Sequence, residues 1–322
     1  MTSRRTTGQA SGAGRSGGKG AGKGAGKGRG AASSNPRRTP PTRIKPGFKP
    51  PGRLPSGNRQ KVYRSASKTR KTVGGEQVEG RQAVRELLIA GKRKINEIWI
   101  VADAEPSPIL DDIGELAEGA RVPVRDVGRA KFFGKARCEA PQGVLAMAAP
   151  LEEAKLDDLA AAPTKKGASQ PFLVALDGVT DPGNLGAVLR SAECAGVTGV
   201  VLPRHRAVHV TPAATKTAAG AVEHLPIALA GGLPAALAEL GKQGVWLIGL
   251  DSASDRSLYD LAPQALEGPV CLVFGSEDRG LSRLVRQRCD DVVSIPLQGH
   301  LASLNVSAAA ALACFEVSRA RG

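Results

Sequence analysis

The polar residues best placed for chemistry lie in loops that follow short apolar segments. The first such loop, Asp177 to Gly186, contains three glycines and Asn184. Arg190 follows about two turns into the helix that the next residues predict. A guanidinium offers a planar set of donors that suits phosphate or carboxylate groups, and an amide can orient a substrate by hydrogen bonds. The loop is therefore a candidate binding site for an anionic ligand.

Two later loops have a similar character. Phe274 to Ser282 leaves a strand through glycine and contains Glu277, and Ile295 to Ser307 precedes an Ala-rich helix. Each loop also has an ordinary structural explanation. Asn184 is expected to cap a helix, Glu277 to complement a helix dipole, and Ser303 or Asn305 to act as a cap. No single loop decides between these interpretations.

The elements between these loops predict an α/β fold. Near-continuous apolar strands alternate with helices, which indicates a parallel sheet covered on both faces. Such sheets bind ligands beyond the carboxyl ends of their strands, where the three loops would lie. The predicted strands are Phe172 to Leu176, Gly199 to Leu202, Val245 to Leu250, Val270 to Phe274 and Val292 to Ile295.

A smaller α/β unit precedes this sheet. Its predicted elements are helices at Arg81 to Ile89 and around Ile109 to Ala117, with strands at Ile95 to Val101, near Val122 to Val124, and at Val144 to Ala148. The whole chain is therefore predicted to comprise a disordered basic tail (1–72), a small domain (73–150), a linker (151–170) and a larger domain (171–322).

Charge is distributed very unevenly along the chain. Residues 1–72 contain 19 Lys and Arg and no acid, whereas the rest contains 26 basic and 30 acidic residues. Such a tail has too few apolar side chains to offset the entropy of ordering. A polyelectrolyte arm for nucleic acid and a merely solubilising extension are both open interpretations.

Composition excludes several classes of protein. Aromatic residues make up only 3% of the chain, which argues against widespread stacking of bases on aromatic platforms. The five cysteines contain no C-x-x-C pair, so we expect a reduced, cytoplasmic protein with no metal site. No apolar stretch approaches the roughly 18 residues of a spanning helix, so we expect no membrane association.

Taken together, the three loops resemble the signature motifs of the SpoU-type RNA ribose 2′-O-methyltransferases, which belong to the SPOUT or α/β-knot class. The resemblance covers Phe172 to Arg319. The matching positions are Asn184 and Arg190, then Gly275, Glu277 and Gly280, then Ile295-Pro296 and Ser303-Leu304-Asn305-Val306-Ser307.

The small domain, from Val78 to Pro150, resembles more loosely the ribosomal-protein-like substrate-binding domain of several members. Gln142-Gly143-Val144 matches its closing motif, with Pro141 where members usually have histidine. Members with such a domain, and in some bacteria a long basic tail, act on ribosomal RNA. The chain is most similar to the bacterial 23S rRNA guanosine 2′-O-methyltransferase type.

The resemblance implies a deep trefoil knot at the C-terminus, with the chain around 295–305 threaded to form a pocket for S-adenosylmethionine. General folding rules would not predict such a knot. The residues that the resemblance assigns to the cofactor are Gly275, Ile295 and Leu304. Its other implications are a homodimer whose active sites draw on both subunits and a substrate of structured RNA, with ribosomal RNA first and transfer RNA second.

The resemblance also implies the catalytic roles. Arg190 acts on the ribose 2′-hydroxyl, either as a base or as a ligand for phosphate and developing alkoxide. Glu277, Ser303 and Asn305 orient Arg190 and the ribose, and Asn184 holds the loop or the substrate. Among the four histidines, His300 lies in the cofactor loop and is the alternative base.

Two other functions remain open at this point. A transfer RNA 2′-O-methyltransferase would keep the chemistry and change the substrate. A ribosome-assembly factor would keep the fold and RNA binding without catalysis, although the complete set of motif residues speaks against it. A small-molecule Rossmann enzyme would need a dinucleotide fingerprint that the sequence lacks.

Overall fold

The computed structural model of the protein describes residues 72–161, 169–205 and 207–322. The predicted disordered tail, 1–72, lies outside the described residues except for Thr72. The elements up to residue 161, in chain order, are β1 (Thr72–Gly74), β2 (Gln77–Glu79), α1 (Arg81–Ala90), β3 (Ile95–Val101), α2 (Pro108–Gly119), β4 (Val124–Val127), α3 (Arg129–Lys135), β5 (Val144–Ala148), β6 (Leu151–Glu152) and α4 (Leu156–Ala160).

The remaining elements alternate strand and helix to the end of the chain, with short 3₁₀ turns at Ala221–Glu223 and Leu258–Asp260. They are β7 (Phe172–Asp177), α5 (Pro182–Cys194), β8 (Gly199–Pro203), α6 (Pro212–Thr217), β9 (Ile227–Ala230), α7 (Leu233–Lys242), β10 (Trp246–Leu250), α8 (Pro263–Glu267), β11 (Val270–Gly275), α9 (Arg283–Arg286), β12 (Asp291–Val293) and α10 (Val306–Arg321).

The larger sheet has six strands in the order β12-β10-β11-β7-β8-β9, and every neighbouring pair is parallel. Successive residues of β7 point to opposite faces, so Val174 and Leu176 pack in one core while Leu173 and Ala175 pack in the other. Helices cover both faces. The prediction of a parallel α/β sheet is therefore confirmed.

The smaller sheet has four strands in the order β2-β5-β3-β4, with β3 and β4 parallel and the other pairs antiparallel. Helices α1 and α2 pack together on one face, where Val84, Leu87 and Ile113 are fully buried. The lobe that contains this sheet is called the small lobe, and the lobe that contains the six-stranded sheet is called the large lobe.

The structure differs from the predicted elements at a few positions. β4 begins at Val124, where the predicted strand ended, and β12 ends at Val293, before the predicted Ile295. β9, at Ile227–Ala230, was not predicted, because four apolar residues are too few to show a period. In the predicted linker, 151–170, the chain forms β6 and α4, and Leu159 packs in a core of the large lobe.

The chain after β12 lies against the β10–β11 connection and then continues through an exposed loop, 296–305. Ser294 donates its N–H to the carbonyl of Arg256 (2.8 Å) and accepts from the N–H of Leu258 (2.8 Å), so it pairs with the β10–β11 connection. The following residues line one cavity with the loop after β11, and α10 then packs against α5 and α8. This is the segment that is predicted to be threaded.

Cys314, which is buried, and Cys289, which is half-buried, both pack among apolar side chains. Burial raises the pKa of the Cys314 thiol to about 12, and burial is also the largest cause of the raised pKa, about 12, of Cys289. Both thiols are therefore protonated at physiological pH. Across 72–161, 169–205 and 207–322, no helix is long and apolar enough to cross a membrane.

A buried ion pair joins the two lobes. Arg93, which follows α1, donates from Nε and Nη2 to the two carboxylate oxygens of Glu223, at 2.9 and 2.6 Å. The side chains are only 6% and 1% exposed. Arg93 Nη1 also donates to the carbonyls of Gly75 and Ala149, so all three nitrogens of the guanidinium make hydrogen bonds.

We expect Arg93→Ala to lower the free energy of unfolding by about 3–5 kcal/mol, because it leaves the Glu223 carboxylate buried without its cation. The measurement is urea unfolding followed by circular dichroism. The matched control is Arg129→Ala. The ion pair of Arg129 with Asp103 is exposed, so its loss should lower the free energy of unfolding by less than about 1 kcal/mol. An equal loss of unfolding free energy in both variants would show that the buried Arg93 pair stabilises the fold no more than the exposed pair.

Candidate active site

The loop after β11 folds back on the end of its own strand. Ser276 and Gly280 exchange backbone hydrogen bonds of 3.2 and 2.8 Å, and Gly280 has a φ of +62°. A Cβ on Gly275 would lie 2.0 Å from the carbonyl carbon of Gly280. Glycine is therefore required at position 275 for the loop to close, and this closure projects Glu277 from the carboxyl end of β11.

The loop after β7 leads into α5 through a different cap from the predicted one. Asp181 is the N-cap, and its side chain accepts from the N–H of Asn184 at 2.7 Å. The prediction that Asn184 caps this helix is therefore wrong. Asp181 followed by Pro182 is the local signal, since proline favours the first helical position and aspartate the position before it.

The third loop ends at Asn305, which caps α10. Its Oδ1 accepts from the N–H and the hydroxyl of Ser307, at 2.8 and 2.5 Å. This cap leaves the amide nitrogen of Asn305 free to donate elsewhere. Of the two cap residues that the sequence left open, Asn305 is the one that caps the helix.

The three loops meet at one carboxylate oxygen. Glu277 Oε1 accepts from Asn184 Nδ2 at 3.0 Å, from Asn305 Nδ2 at 2.5 Å and from the N–H of Val306 at 3.4 Å. Asn305 Nδ2 also donates to Asn184 Oδ1 at 3.0 Å. The side chains form a closed polar triangle, and two of its corners belong to the helices α5 and α10.

A cavity of about 350 Å³ opens beside this triangle. All three residues that were predicted to bind the cofactor line it: Gly275, Ile295 and Leu304. Ser303 and Glu277 line it as well. Its size falls in the range of small-molecule sites, and its mixture of apolar walls with a few polar groups is typical of them.

The cavity fits an adenosine ligand that carries a positive charge. Leu250, Phe274 and Ile295 supply apolar walls for a base, and the carboxylates of Asp251 and Glu277 supply negative charge. In the part of the chain that the structure describes, no group of His, Cys, Asp and Glu is arranged to hold a metal ion.

Arg190 lies apart from the other predicted catalytic residues. It is exposed on α5 and lines a second cavity, of about 550 Å³, that shares no residue with the first. Within the described ranges, its guanidinium makes no hydrogen bond or ion pair. The structure thus brings Asn184, Glu277 and Asn305 together in one chain and leaves Arg190 elsewhere on the surface.

Two carboxylates at the carboxyl edge of the sheet were not predicted as site residues. Asp177, at the end of β7, accepts from the N–H of Ser282 at 2.7 Å and so fixes the loop after β11. Asp251 follows β10, lines the first cavity and forms an ion pair with Arg286. Their position directly after apolar strands is the signal that would have identified them.

The fold and the cavity together define a class. The candidate ligand pocket lies at the carboxyl edge of a parallel sheet, and the 295–304 segment that precedes α10 forms one of its walls. No Gly-rich dinucleotide fingerprint follows β7. This arrangement is that of a methyltransferase of the SPOUT class rather than a Rossmann enzyme.

Comparison with known proteins agrees with this class. Residues 171–315 match the SpoU rRNA Methylase family, and residues 77–154 match the RNA 2′-O ribose methyltransferase substrate-binding family. The chain belongs to the SpoU rRNA methylase family. It is an S-adenosylmethionine-dependent RNA 2′-O-methyltransferase by that membership.

Three curated relatives illustrate the similarity. A 23S rRNA (guanosine-2′-O-)-methyltransferase RlmB of Pseudomonas aeruginosa is 36% identical, over 76% of this chain and 97% of the relative. A putative TrmH family tRNA/rRNA methyltransferase of Staphylococcus haemolyticus is 38% identical, over 76% and 95%. An uncharacterized tRNA/rRNA methyltransferase of Mycobacterium marinum is 35% identical, over 88% and 87%.

Two solved structures have the same fold and contain the methyl donor. The SpoU methyltransferase AviRb of Streptomyces viridochromogenes, in complex with AdoMet, has a TM-score of 0.62 at 25% identity, over 76% of this chain and 89% of that one. An AdoMet-bound rRNA methyltransferase of Sinorhizobium meliloti has a TM-score of 0.60 at 25% identity, over 76% and 86%.

We expect Gly275→Ala to weaken the binding of S-adenosylmethionine at least about tenfold, because the added methyl group forces the 276–280 turn away from β11. Isothermal titration calorimetry measures this directly. Gly268→Ala is the matched control, since a Cβ at that position meets nothing within 4 Å. Unchanged affinity in Gly275→Ala would mean that the closed turn does not shape the pocket.

Proposed function

We propose that the chain transfers a methyl group from S-adenosylmethionine to the 2′-hydroxyl of a ribose in 23S ribosomal RNA. The observation that supports this proposal most directly is the convergence of Asn184 and Asn305 on Glu277, which lines the 350 Å³ cavity. The name of the RlmB relative supports ribosomal RNA as substrate. When bound, S-adenosylmethionine supplies an electrophilic methyl group.

In this proposal the cavity residues bind and orient the reactants. Gly275, Ile295 and Leu304 contact the cofactor, with the glycine leaving backbone groups accessible. Glu277 Oε1 accepts three donors, so we assign this carboxylate the role of positioning Asn184 and Asn305. Ser303 is exposed in the same cavity, where its hydroxyl is available to hydrogen-bond the ribose.

Arg190 is the residue that we assign to the 2′-hydroxyl. A guanidinium stays protonated in proteins, so its natural contribution is to bind phosphate and to stabilise the alkoxide that develops as the proton leaves. Its exposure and its lack of a carboxylate partner within the described residues leave it available for this.

We further propose that the enzyme is a homodimer that completes each active site from two copies. Arg190 and the cofactor cavity lie in different places on one chain, so a second copy is needed to bring them together. The last helix offers an apolar stripe for pairing: Ala308, Leu312 and Phe315 are exposed at successive turns of α10. Two-fold symmetry would place the same stripe on both sides of the interface.

Three further assignments belong to this proposal: the cellular location, the domain boundaries and a second candidate substrate. We place the enzyme in the cytoplasm, where ribosomal RNA is made and folded, and the domain boundaries at 1–72, 73–150, 151–170 and 171–322. Transfer RNA is the second candidate substrate, since the 38% identical relative is named for both tRNA and rRNA.

The first test is to incubate the protein with S-adenosylmethionine and unmodified 23S rRNA and to map positions that resist alkaline cleavage. A 2′-O-methyl group removes the nucleophile that alkali uses, so we expect one new resistant position. Arg190→Ala should reduce the rate by about 10²- to 10³-fold, because the alkoxide loses its cation.

The other variants separate the possible roles. Arg190→Lys should stay well below wild type, since an ammonium lacks the planar fork, and near-normal turnover would contradict a role specific to arginine. His300→Ala should leave the rate unchanged. New resistant positions on transfer RNA alone would identify transfer RNA as the substrate. No resistant position on either RNA, with RNA binding retained, would favour an assembly factor.

Active sites shared between copies predict complementation. Co-expressed Arg190→Ala and Gly275→Ala chains with different affinity tags give a heterodimer in which one site has both an intact cofactor pocket and an intact arginine. We expect about half the wild-type rate from this heterodimer. Each homodimeric variant is the control, and an inactive heterodimer would mean that each site is complete within one chain.

A further inference from the structure

The cavity that Arg190 lines is a cleft between the two lobes, here called the interlobe cavity. Its volume is about 550 Å³. The small lobe contributes Gly80, Gln82 and Gln142, and the large lobe contributes Arg190 and Lys216. Both the closing motif of the small lobe and the candidate catalytic arginine therefore face one space.

Close helix packing places Lys216 in this cavity. A Cβ on Gly186 of α5 would lie 2.5 Å from the carbonyl oxygen of Ala214 and 2.6 Å from Cβ of Thr217, so only glycine allows α6 to approach this closely. Lys216 stands between these two α6 residues in the sequence. Its side chain is half-buried and, among the described residues, has no hydrogen bond or ion pair.

Lys216 meets the small lobe at Gly80. A Cβ built on Gly80 would lie 3.1 Å from Cγ of Lys216 and 3.2 Å from Oε1 of Gln142. The lysine stem and the glutamine amide therefore lie against the same backbone position from opposite lobes. A lysine of the large lobe and a glutamine of the small lobe therefore line the same part of the interlobe cavity.

Gln142 is held in an orientation that leaves its donor free. It has a φ of +57°, a left-handed conformation that is uncommon for a residue with a side chain. Its Oε1 accepts from the N–H of Arg81 at 3.0 Å, which caps α1, and its carbonyl accepts from Arg81 Nε at 3.2 Å. Among the described residues, the side-chain amide nitrogen of Gln142, Nε2, has no hydrogen-bond partner.

The main acid of the cavity is neutralised locally. Glu86 accepts from Gln82 at 3.1 Å and from Arg85 at 3.5 Å, and its second oxygen lies 3.1 Å from His224 Nε2. A second carboxylate, that of Glu193, also lines the cavity. The groups without partners that suit an anion are Arg190, Lys216 and the Gln142 amide.

We propose that Lys216 and Gln142 form a phosphate-binding subsite for the RNA backbone, beside the ribose that Arg190 engages. The inference rests on the proposed function, because it identifies the substrate as the ligand. An ammonium and an amide N–H are both donors that phosphate oxygens accept, and such contacts position a strand without reading its sequence. The subsite couples the small lobe, which holds the RNA, to the residue that acts on it.

The test compares Lys216→Met with the wild-type full chain. Methionine keeps the apolar stem that packs against Gly80 and removes the charge. We expect about tenfold weaker binding of an unmodified 23S rRNA transcript, and a fall of about 0.9 in the slope of log affinity against log salt, as for one lost phosphate contact. The affinity for S-adenosylmethionine should not change, and Lys216→Arg should restore RNA binding.

Two further variants make the test specific. Gln142→Glu keeps an oxygen for the N–H of Arg81 but replaces the free donor with a carboxylate, so it should also weaken RNA binding at unchanged thermal stability. Lys242→Met is the matched control, because Lys242 is exposed on α7 and pairs with Glu239. Its RNA affinity should equal that of the wild type, and the contribution of residues 1–72 is common to all variants.

The outcomes separate this inference from the proposed function. Lys216-dependent RNA binding without methyl transfer by the wild type would overturn the reaction and keep the subsite. Methyl transfer with unchanged affinity and salt slope in Lys216→Met would overturn the subsite and keep the reaction. An equal loss in Lys242→Met would also overturn the subsite, since it would show only a general effect of charge.

Discussion

The candidate active site depends on a single shared acceptor, the Oε1 oxygen of Glu277. Its donors come from positions 93 and 28 residues away in the chain, in Asn184 and Asn305. The interaction requires the turn after β11 to be closed by glycine and the sheet to place β11 next to β7. Because a charged acceptor strengthens each of these hydrogen bonds, one side chain holds three loops in a defined arrangement.

The last helix is held at both ends, which explains how a C-terminal segment can form one wall of a pocket. At its start, Asn305 caps the helix and joins the polar triangle. At its end, Arg321 donates to the carbonyls of Leu266 and Gln170 and lies 5.0 Å from the ring centre of Phe172. Burial lowers the pKa of Arg321, yet the surrounding carbonyls satisfy its donors.

The two lobes contribute different parts of the machinery. The buried pair of Arg93 and Glu223 fixes the small lobe on the large one, and the cleft between them contains Arg190. The cofactor cavity opens elsewhere on the large lobe. In our proposal one side of the chain faces RNA and another faces the cofactor, and a two-fold dimer joins the arginine of one copy to the cavity of the other.

The sequence alone determined five of the six strands of the large sheet, all except β9, and the loops in which the candidate site lies. These features depend on the spacing of apolar residues along the chain and on glycine at a few positions, so they can be predicted from the sequence. Only the tertiary structure decided that Glu277 is the common acceptor of Asn184 and Asn305, and that the stem of Lys216 lies against Gly80 beside Gln142 Oε1. These are contacts between residues distant in the chain, and no local pattern records which distant segments a sheet will bring together.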